Sequence, residues 1–271
     1  MGAIKFRANS YNPEELNGKV AVVTGAAAGI GKATLMVLAQ SGAAVIGLDQ
    51  DTNGLTQVLG WSKSKSLKVE TFQCDVSNQQ KLRDAFKFAD STFGACDILV
   101  AAAGIGLYKD FLGISEEEID RVLDVNIKGV LFSMQEAFQR MREKESGSII
   151  AISSVQSNLS LEGCVVYAAT KAAVTTAART LALEAGRHGV RVNTISPGTI
   201  NTPMLDRDLS GMNLKAREEF VERVNQANLI GRIGDASEVA DAALFLASSR
   251  SSYITASDLK VDGGFTALKN F

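Results

Sequence analysis

In the stretch VVYAATKAAV a tyrosine, Tyr167, stands four residues ahead of a lysine, Lys171, among alanine and valine. On a helix, positions i and i+4 share a face one turn apart, so the phenol and the ammonium would meet beside an apolar surface. Two readings fit. Tyr167 is a core aromatic with a solvated neighbour, or the two form a proton-exchanging pair in which a cation stabilises a phenolate.

A second stretch, TGAAAGIG, runs from Thr24 to Gly31. Gly25, Gly29 and Gly31 allow a tight turn and close approach of backbone to a ligand, and a helix starting there offers free N–H groups to a pyrophosphate. Its spacing is G-x-x-x-G-x-G, not the G-x-G-x-x-G dinucleotide fingerprint, and glycines also turn chains for structural reasons alone. Position decides for a nucleotide site, because the stretch follows a strand pattern and opens a helical one. Asp49 ends the next strand pattern, 18 residues beyond Gly31. Its carboxylate could accept hydrogen bonds from adenosine ribose hydroxyls and would repel a 2′-phosphate. Neither the loop nor the adjoining Gln50 supplies a cation, so NAD is favoured over NADP. Alternatively, Asp49 simply begins the turn DQDTNG.

The elements that must position these residues alternate along the chain. Strand patterns lie at Lys19 to Thr24, Ala44 to Asp49, Lys68 to Cys74, Asp97 to Gly104, Gly147 to Ser153, Val190 to Ser196 and Asp258 to Asp262. Helical patterns separate them, including a long one beginning near Glu116 and reaching Met141, and one carrying Tyr167 and Lys171. Several strands are nearly continuous apolar runs, which means burial on both faces. Repeated β-α units of this kind give a doubly wound, Rossmann-type parallel sheet with helices on both sides. The chain is expected to be one α/β domain over 19–271, preceded by an extension over 1–18. The rhythm breaks once, from Ser196 to Phe220, where two of the three prolines fall. Such a late excursion is expected to be a substrate lid at about 203–225.

Composition narrows the function classes. With 28 basic and 30 acidic side chains the net charge is −2 and no basic block stands out, so neither a nucleic-acid partner nor an anionic membrane surface is expected. Three dispersed cysteines without a C-x-x-C pair argue against a disulfide framework. A single histidine, His188, makes a metal site or a Ser-His-Asp mechanism improbable. No apolar run is long enough to span a bilayer and no leader pattern opens the chain, so it reads as soluble and cytoplasmic.

The stretches TGAAAGIG, CDV, DVNIKG, ISS, YAATK and SPGTINTPM stand in the order and spacing of the short-chain dehydrogenase/reductases, which the chain resembles from about Lys19 to Gly264. The resemblance implies a hydride transfer between a nicotinamide cofactor and a secondary alcohol or ketone. It makes Tyr167 the general acid/base, Lys171 the residue that binds the nicotinamide ribose and lowers the phenol's pKa, and Ser154 a hydrogen-bond partner of the reacting oxygen. Asn126 would complete a proton relay through water. Gly25, Gly29, Ile30, Gly31, Asp49, Asp75, Val76, Ala101 and Ala102 would hold the dinucleotide, with Pro197, Gly198, Ile200 and Thr202 around the nicotinamide. Moving a phenol from ~10 down by about 3 units corresponds to roughly 4 kcal/mol, within reach of two close positive charges in a partly dry cleft. Read singly, Ser154 could only turn the chain after its strand, Asn126 only satisfy backbone and Asp75 only cap a helix.

Two positions depart from the family pattern. An N-N-A-G stretch is replaced by AAAG, Ala101 to Gly104, and the usual glycine after Ile254 and Thr255 is Ala256. Substrate choice is expected to lie with Ser154, Gln156 and Tyr167 and with the lid. The polar run Gln156, Ser157, Asn158 suits a sugar or polyol, and equally a solvated loop. The alternatives are a 3-oxoacyl thioester reductase and, in another class, a dinucleotide-sensing protein without catalysis. The resemblance also implies a homo-oligomer, tetramer or dimer.

Overall fold

The computed structural model describes residues 11–159 and 161–267. Val20–Thr24 (β1), Ala44–Asp49 (β2), Val69–Gln73 (β3), Ile98–Ala101 (β4), Gly147–Ile152 (β5) and Val190–Pro197 (β6) are strands, joined late in the chain by Asp258–Val261. These make one seven-stranded sheet in the order β3-β2-β1-β4-β5-β6 and then Asp258–Val261, with every pairing parallel. The fold is the doubly wound Rossmann type in a single domain. Every residue of β1 and β4 is buried, whereas the edge strand β3 is half open, as continuous apolar runs in the centre dictate.

Gly29–Gln40 (α1) and Thr52–Ser64 (α2) pack on one face, and Gln79–Thr92 (α3) on the other. The long helical pattern expected from Glu116 to Met141 is not one α-helix. Glu116–Leu123 (α4) gives way to a π-helical turn, Asp124–Gly129, and then to Val130–Lys144 (α5). The widened turn carries Asn126 inward to full burial, where its side chain finds backbone partners. Val165–Ala185 (α6) follows β5. Tyr167, Lys171, Val174, Ala178, Ala182 and Ala185 are all buried on it, at steps of three and four residues, so one face is inserted against the sheet.

The late excursion contains Pro203–Asp208 (α7) and Leu214–Ala227 (α8). Ile200–Asn201 (β7) and Gly234–Asp235 (β8) pair in parallel across its base. Ala236–Ala247 (α9) then returns to the α1 face, and Asp258–Val261 is β9. Of the expected extension over 1–18, residues 1–10 lie outside the described residues. The rest packs on the domain: Leu16 is buried and donates its N–H to the Ser41 carbonyl at 2.8 Å, and the Tyr11 hydroxyl reaches Asp241 at 2.9 Å. Among the described residues no helix is long and apolar enough to cross a membrane.

Candidate active site

From β1 the chain winds outward one way through β2 and β3, and from β4 the other way. Strand order reverses between β1 and β4, and a crevice must open at their carboxyl ends. A cleft of about 1120 Å³ lies there, lined at one end by Gly25, Gly29, Ile30, Gly31 and Asp49 and at the other by Ser154, Tyr167 and Lys171.

The glycine end is shaped for a ligand brought close to backbone. A Cβ on Gly31 would fall inside contact distance of the Gly25 carbonyl, and one on Gly25 would lie 2.9 Å from Ala103 Cα. Ala28 precedes α1 without a side-chain cap, and the first turn holds no acidic residue, so the helix start presents uncapped N–H groups. The Asp49 carboxylate accepts from Ala27 N–H and from Asp51 N–H, both at 3.0 Å, which fixes it beside the loop. Asp75, Val76 and Ala102 line the same end. Asp75 does not cap α3; its Oδ1 accepts from Ser77 N–H at 3.0 Å and from the Ser77 hydroxyl at 2.7 Å, and Asn78 is the cap. Pro197, Gly198, Ile200 and Thr202 also line the cleft, and a Cβ on Gly29 would lie 3.4 Å from that of Thr202.

At the other end β5 and α6 bring three side chains together. Ser154 follows β5 in extended conformation, and its Oγ accepts from Gln156 N–H at 3.2 Å. Tyr167 and Lys171 lie in the first two turns of α6, only 8% and 5% exposed. Lys171 Nζ donates to the Ile152 carbonyl at 2.9 Å and lies 5.6 Å from the Tyr167 ring centroid. Burial pushes the Tyr167 phenol up to about 12, against a lowering hydrogen bond from Ser154, with Asp208 and Cys164 adding to the rise. Burial likewise pushes the Lys171 ammonium down to about 8. The depression of the phenol expected from the lysine is therefore absent among the protein's own groups. The ammonium is directed at a carbonyl, and loss of water penalises both charged forms more than their proximity helps.

Two expected residues do not face the cleft. Ala101 is buried within β4, and Asn126 stands behind the wall at 0% exposure. Asn126 Oδ1 accepts from Ile105 N–H at 2.9 Å, and its Nδ2 donates to the Ile105 carbonyl at 2.9 Å and to Thr170 Oγ1 at 3.2 Å. The loop that lacks the family's asparagines is held from the opposite strand. The buried Thr24 hydroxyl accepts from Ala102 N–H and Ala103 N–H, both at 3.1 Å. Its signal was the threonine that opens TGAAAGIG.

Of the polar run after Ser154, only Gln156 lines the cleft, while Asn158 is exposed to solvent. The same cleft is lined by Tyr108, Leu161, Cys164, Met204, Leu209 and Met212, with Glu162, Arg207 and Asp208 among them. Tyr108, which no motif marked, has its ring centroid 5.9 Å from that of Tyr167, and its hydroxyl accepts from Gln156 Nε2 at 3.4 Å.

A sheet that reverses its strand order over such a cleft defines a doubly wound α/β protein with its ligand crevice at the switch point. Comparison with known proteins is more specific. A family model described as enoyl-(acyl carrier protein) reductase matches residues 25–266. The 3-oxoacyl-[acyl-carrier-protein] reductase FabG of Thermotoga maritima is 36% identical over 249 residues, 92% of this chain and 98% of its own. Secoisolariciresinol dehydrogenase of Forsythia intermedia is 38% identical over 255 residues, 93% of this chain and 90% of its own. A gluconate 5-dehydrogenase from Burkholderia cenocepacia, solved in complex with NADP and tartrate, superposes with a TM-score of 0.87 at 29% identity, covering 95% of this chain and 99% of that one. The chain belongs to the short-chain dehydrogenase/reductase family of oxidoreductases, whose fold binds nicotinamide dinucleotides.

Proposed function

We propose that this chain is an NAD-dependent oxidoreductase that interconverts a secondary alcohol and its ketone. One observation carries the reading: Ser154, Tyr167 and Lys171 converge at one end of a cleft whose other end is the Gly25–Gly31 loop and Asp49. The residues present fit a dinucleotide. The uncapped start of α1 and the side-chain-free cradle of Gly25 and Gly31 would hold its pyrophosphate, and Asp49 would accept from the adenosine ribose hydroxyls. Bound, the dinucleotide supplies the hydride acceptor or donor and, when oxidised, a positive charge.

The chain's own residues supply the proton chemistry. Tyr167 takes the proton from the substrate hydroxyl during oxidation and returns it to the carbonyl oxygen during reduction. Ser154 donates a hydrogen bond to that oxygen and holds it against the phenol. With its own phenol pushed up to about 12, Tyr167 needs positive charge beyond Lys171 to work as a base near neutral pH. Lys171 is held by Ile152 so that it can face a ribose, and Asn126 acts through the Ile105 loop as a positioning residue. An acidic Asp49 with no cation in the loop supports NAD over NADP.

The relatives' names run from an acyl thioester to a gluconate, so substrate class has to come from the site. A mostly apolar wall carrying Gln156 suits a secondary alcohol with an apolar body and a further hydroxyl. Initial rates with NAD and with NADP against secondary alcohols, polyols and 3-hydroxyacyl thioesters, with Tyr167→Phe as control, test the reading. NAD-linked turnover of an alcohol, abolished in the variant, is expected. Faster NADP-linked turnover of thioesters would favour the acyl reductase, and tight NAD binding without turnover would favour a sensor.

A further inference from the structure

The short helix α7 carries two carboxylates that are treated differently. Asp206 is paired with Arg217 at 2.7 Å. Asp208, two residues on, lines the cleft, and among the described residues no hydrogen bond or ion pair holds its carboxylate. It stands beside Gly106: the point where a Cβ of Gly106 would stand is 3.3 Å from Asp208 Oδ1 and 3.0 Å from Tyr108 Cε2. Asp208 and Tyr108 therefore flank one glycine, and Tyr108 lies against Tyr167. Burial raises the Asp208 carboxyl's pKa, so holding a charge there costs stability. The cleft around it carries Leu161, Met204, Leu209 and Met212, which donate no hydrogen bond, and also Tyr108, Gln156, Tyr167 and Arg207; the Arg207 charge opposes the rise, yet none of these groups is hydrogen-bonded to the Asp208 carboxylate.

A carboxylate accepts hydrogen bonds, so one left without a donor from the protein calls for a donor on the ligand. An anionic ligand would face the like charge of Asp208, which the neighbouring Arg207 offsets only in part, since burial still raises the carboxyl's pKa. We propose that Asp208 is the specificity-determining residue of this cleft: it accepts a hydrogen bond from a second hydroxyl of the substrate, and so selects uncharged diols over monoalcohols and hydroxy acids. The proposal rests on the alcohol/ketone reading above, and it moves the discriminating group from the loop after Ser154 to the lid.

The test compares kcat/KM with NAD for trans-1,2-cyclohexanediol, cyclohexanol and 2-hydroxycyclohexanecarboxylate, in the parent, D208A and D208N. The parent is expected to prefer the diol to cyclohexanol by at least about tenfold, and to prefer it more strongly still to the hydroxy acid. D208A should bring the diol-to-cyclohexanol ratio to near one. D208N, which keeps an acceptor oxygen but not the charge, should retain part of that ratio and improve the hydroxy acid. A D208A that lowers diol and monoalcohol alike, a parent without diol preference, or a parent that prefers 2-aminocyclohexanol to the diol would overturn the proposal. Failure of the alcohol/ketone reading looks different: no alcohol turns over in the parent, and Tyr167→Phe changes nothing. Calorimetric titration of the NADH-loaded protein with the diol then decides on Asp208. Binding lost in D208A supports its role, and absence of binding in the parent overturns it.

Discussion

The two ends of the cleft are built differently. The end proposed for the dinucleotide is made of strand termini and backbone: Gly25 and Gly31 are pressed against main chain, Asp49 is tied to Ala27, and Thr24 anchors the facing loop. The end proposed for the substrate is lined by side chains on α7 and by Phe220 of α8, and α8 buries no residue; Leu214 at its start is 74% exposed. A pyrophosphate there would be met by backbone N–H groups that every residue carries, so the sheet and the start of α1 could build most of its site. An individual substrate would need particular side chains, and of those proposed above Asp208 sits on an element contributing little to the core. Such elements open at low free energy, which suits a cover that must admit a ligand.

Five measurements would break or sharpen that contrast. Tyr167→Phe should lower kcat/KM by about a thousandfold while NADH affinity, read by fluorescence, stays within about threefold of the parent; weakened NADH binding would mean the phenol serves the cofactor instead. Gly31→Ala should weaken NAD binding by at least about thirtyfold and lower Tm, since its methyl would displace the Gly25 carbonyl; unchanged affinity would show that the loop is a turn only. Asp49→Ser should raise the NADP-to-NAD ratio of kcat/KM by about tenfold to a hundredfold. A ratio that does not move would remove Asp49 from cofactor choice.

Lys171→Met separates stability from activity. The folded protein holds this ammonium at about 8 against an ordinary value of 10.5. A base depressed in this way weighs on stability fully below pH 8 and progressively less as pH climbs to 10.5. Removing it should raise stability by about 1 to 2 kcal/mol at pH 7, after the loss of its bond to Ile152, and abolish turnover. The advantage should vanish towards pH 10.5 in denaturant titrations, and a variant less stable at pH 7 would show that the Ile152 bond outweighs burial. The smallest effect compares the bend before β9 with the α7–α8 segment. Ala256 holds a φ of +58°, where glycine is at ease and alanine is not. Ala256→Gly should gain about 1 kcal/mol, whereas Leu214→Ala should leave Tm within about 1 °C; a large loss from the latter would mean that the lid carries the fold.

Much of this was legible in residue order. Seven strand patterns became the seven strands of the main sheet, with Ala44–Asp49 matching end to end, because apolar runs bounded by turns report burial directly. The α6 spacing placed Tyr167 and Lys171 on one face. What escaped was set by tertiary contact. The wide turn at Asp124–Gly129 interrupts a periodicity that looks unbroken, since the partners of Asn126 lie at Ile105, 21 residues away. Asn158 reads like Gln156 on paper, yet a single 3-10 turn sends one inward and the other out. The phenol's rise to about 12 comes from burial, a sum over all neighbours that the four-residue spacing cannot express.

The wide turn has one more consequence, for chain length. Each residue on a helix advances it by about 100°, so the extra residue in that turn rotates everything after it by about that angle. With it, Asn126 points inward and Val130, Met134, Ala137 and Met141 still meet the sheet. Deleting one residue there would force a choice between the two. The stretch 124–129 is therefore a place where a gap is as damaging as a wrong side chain, while the loop between α7 and α8 can lengthen or shorten without disturbing the phase of anything downstream.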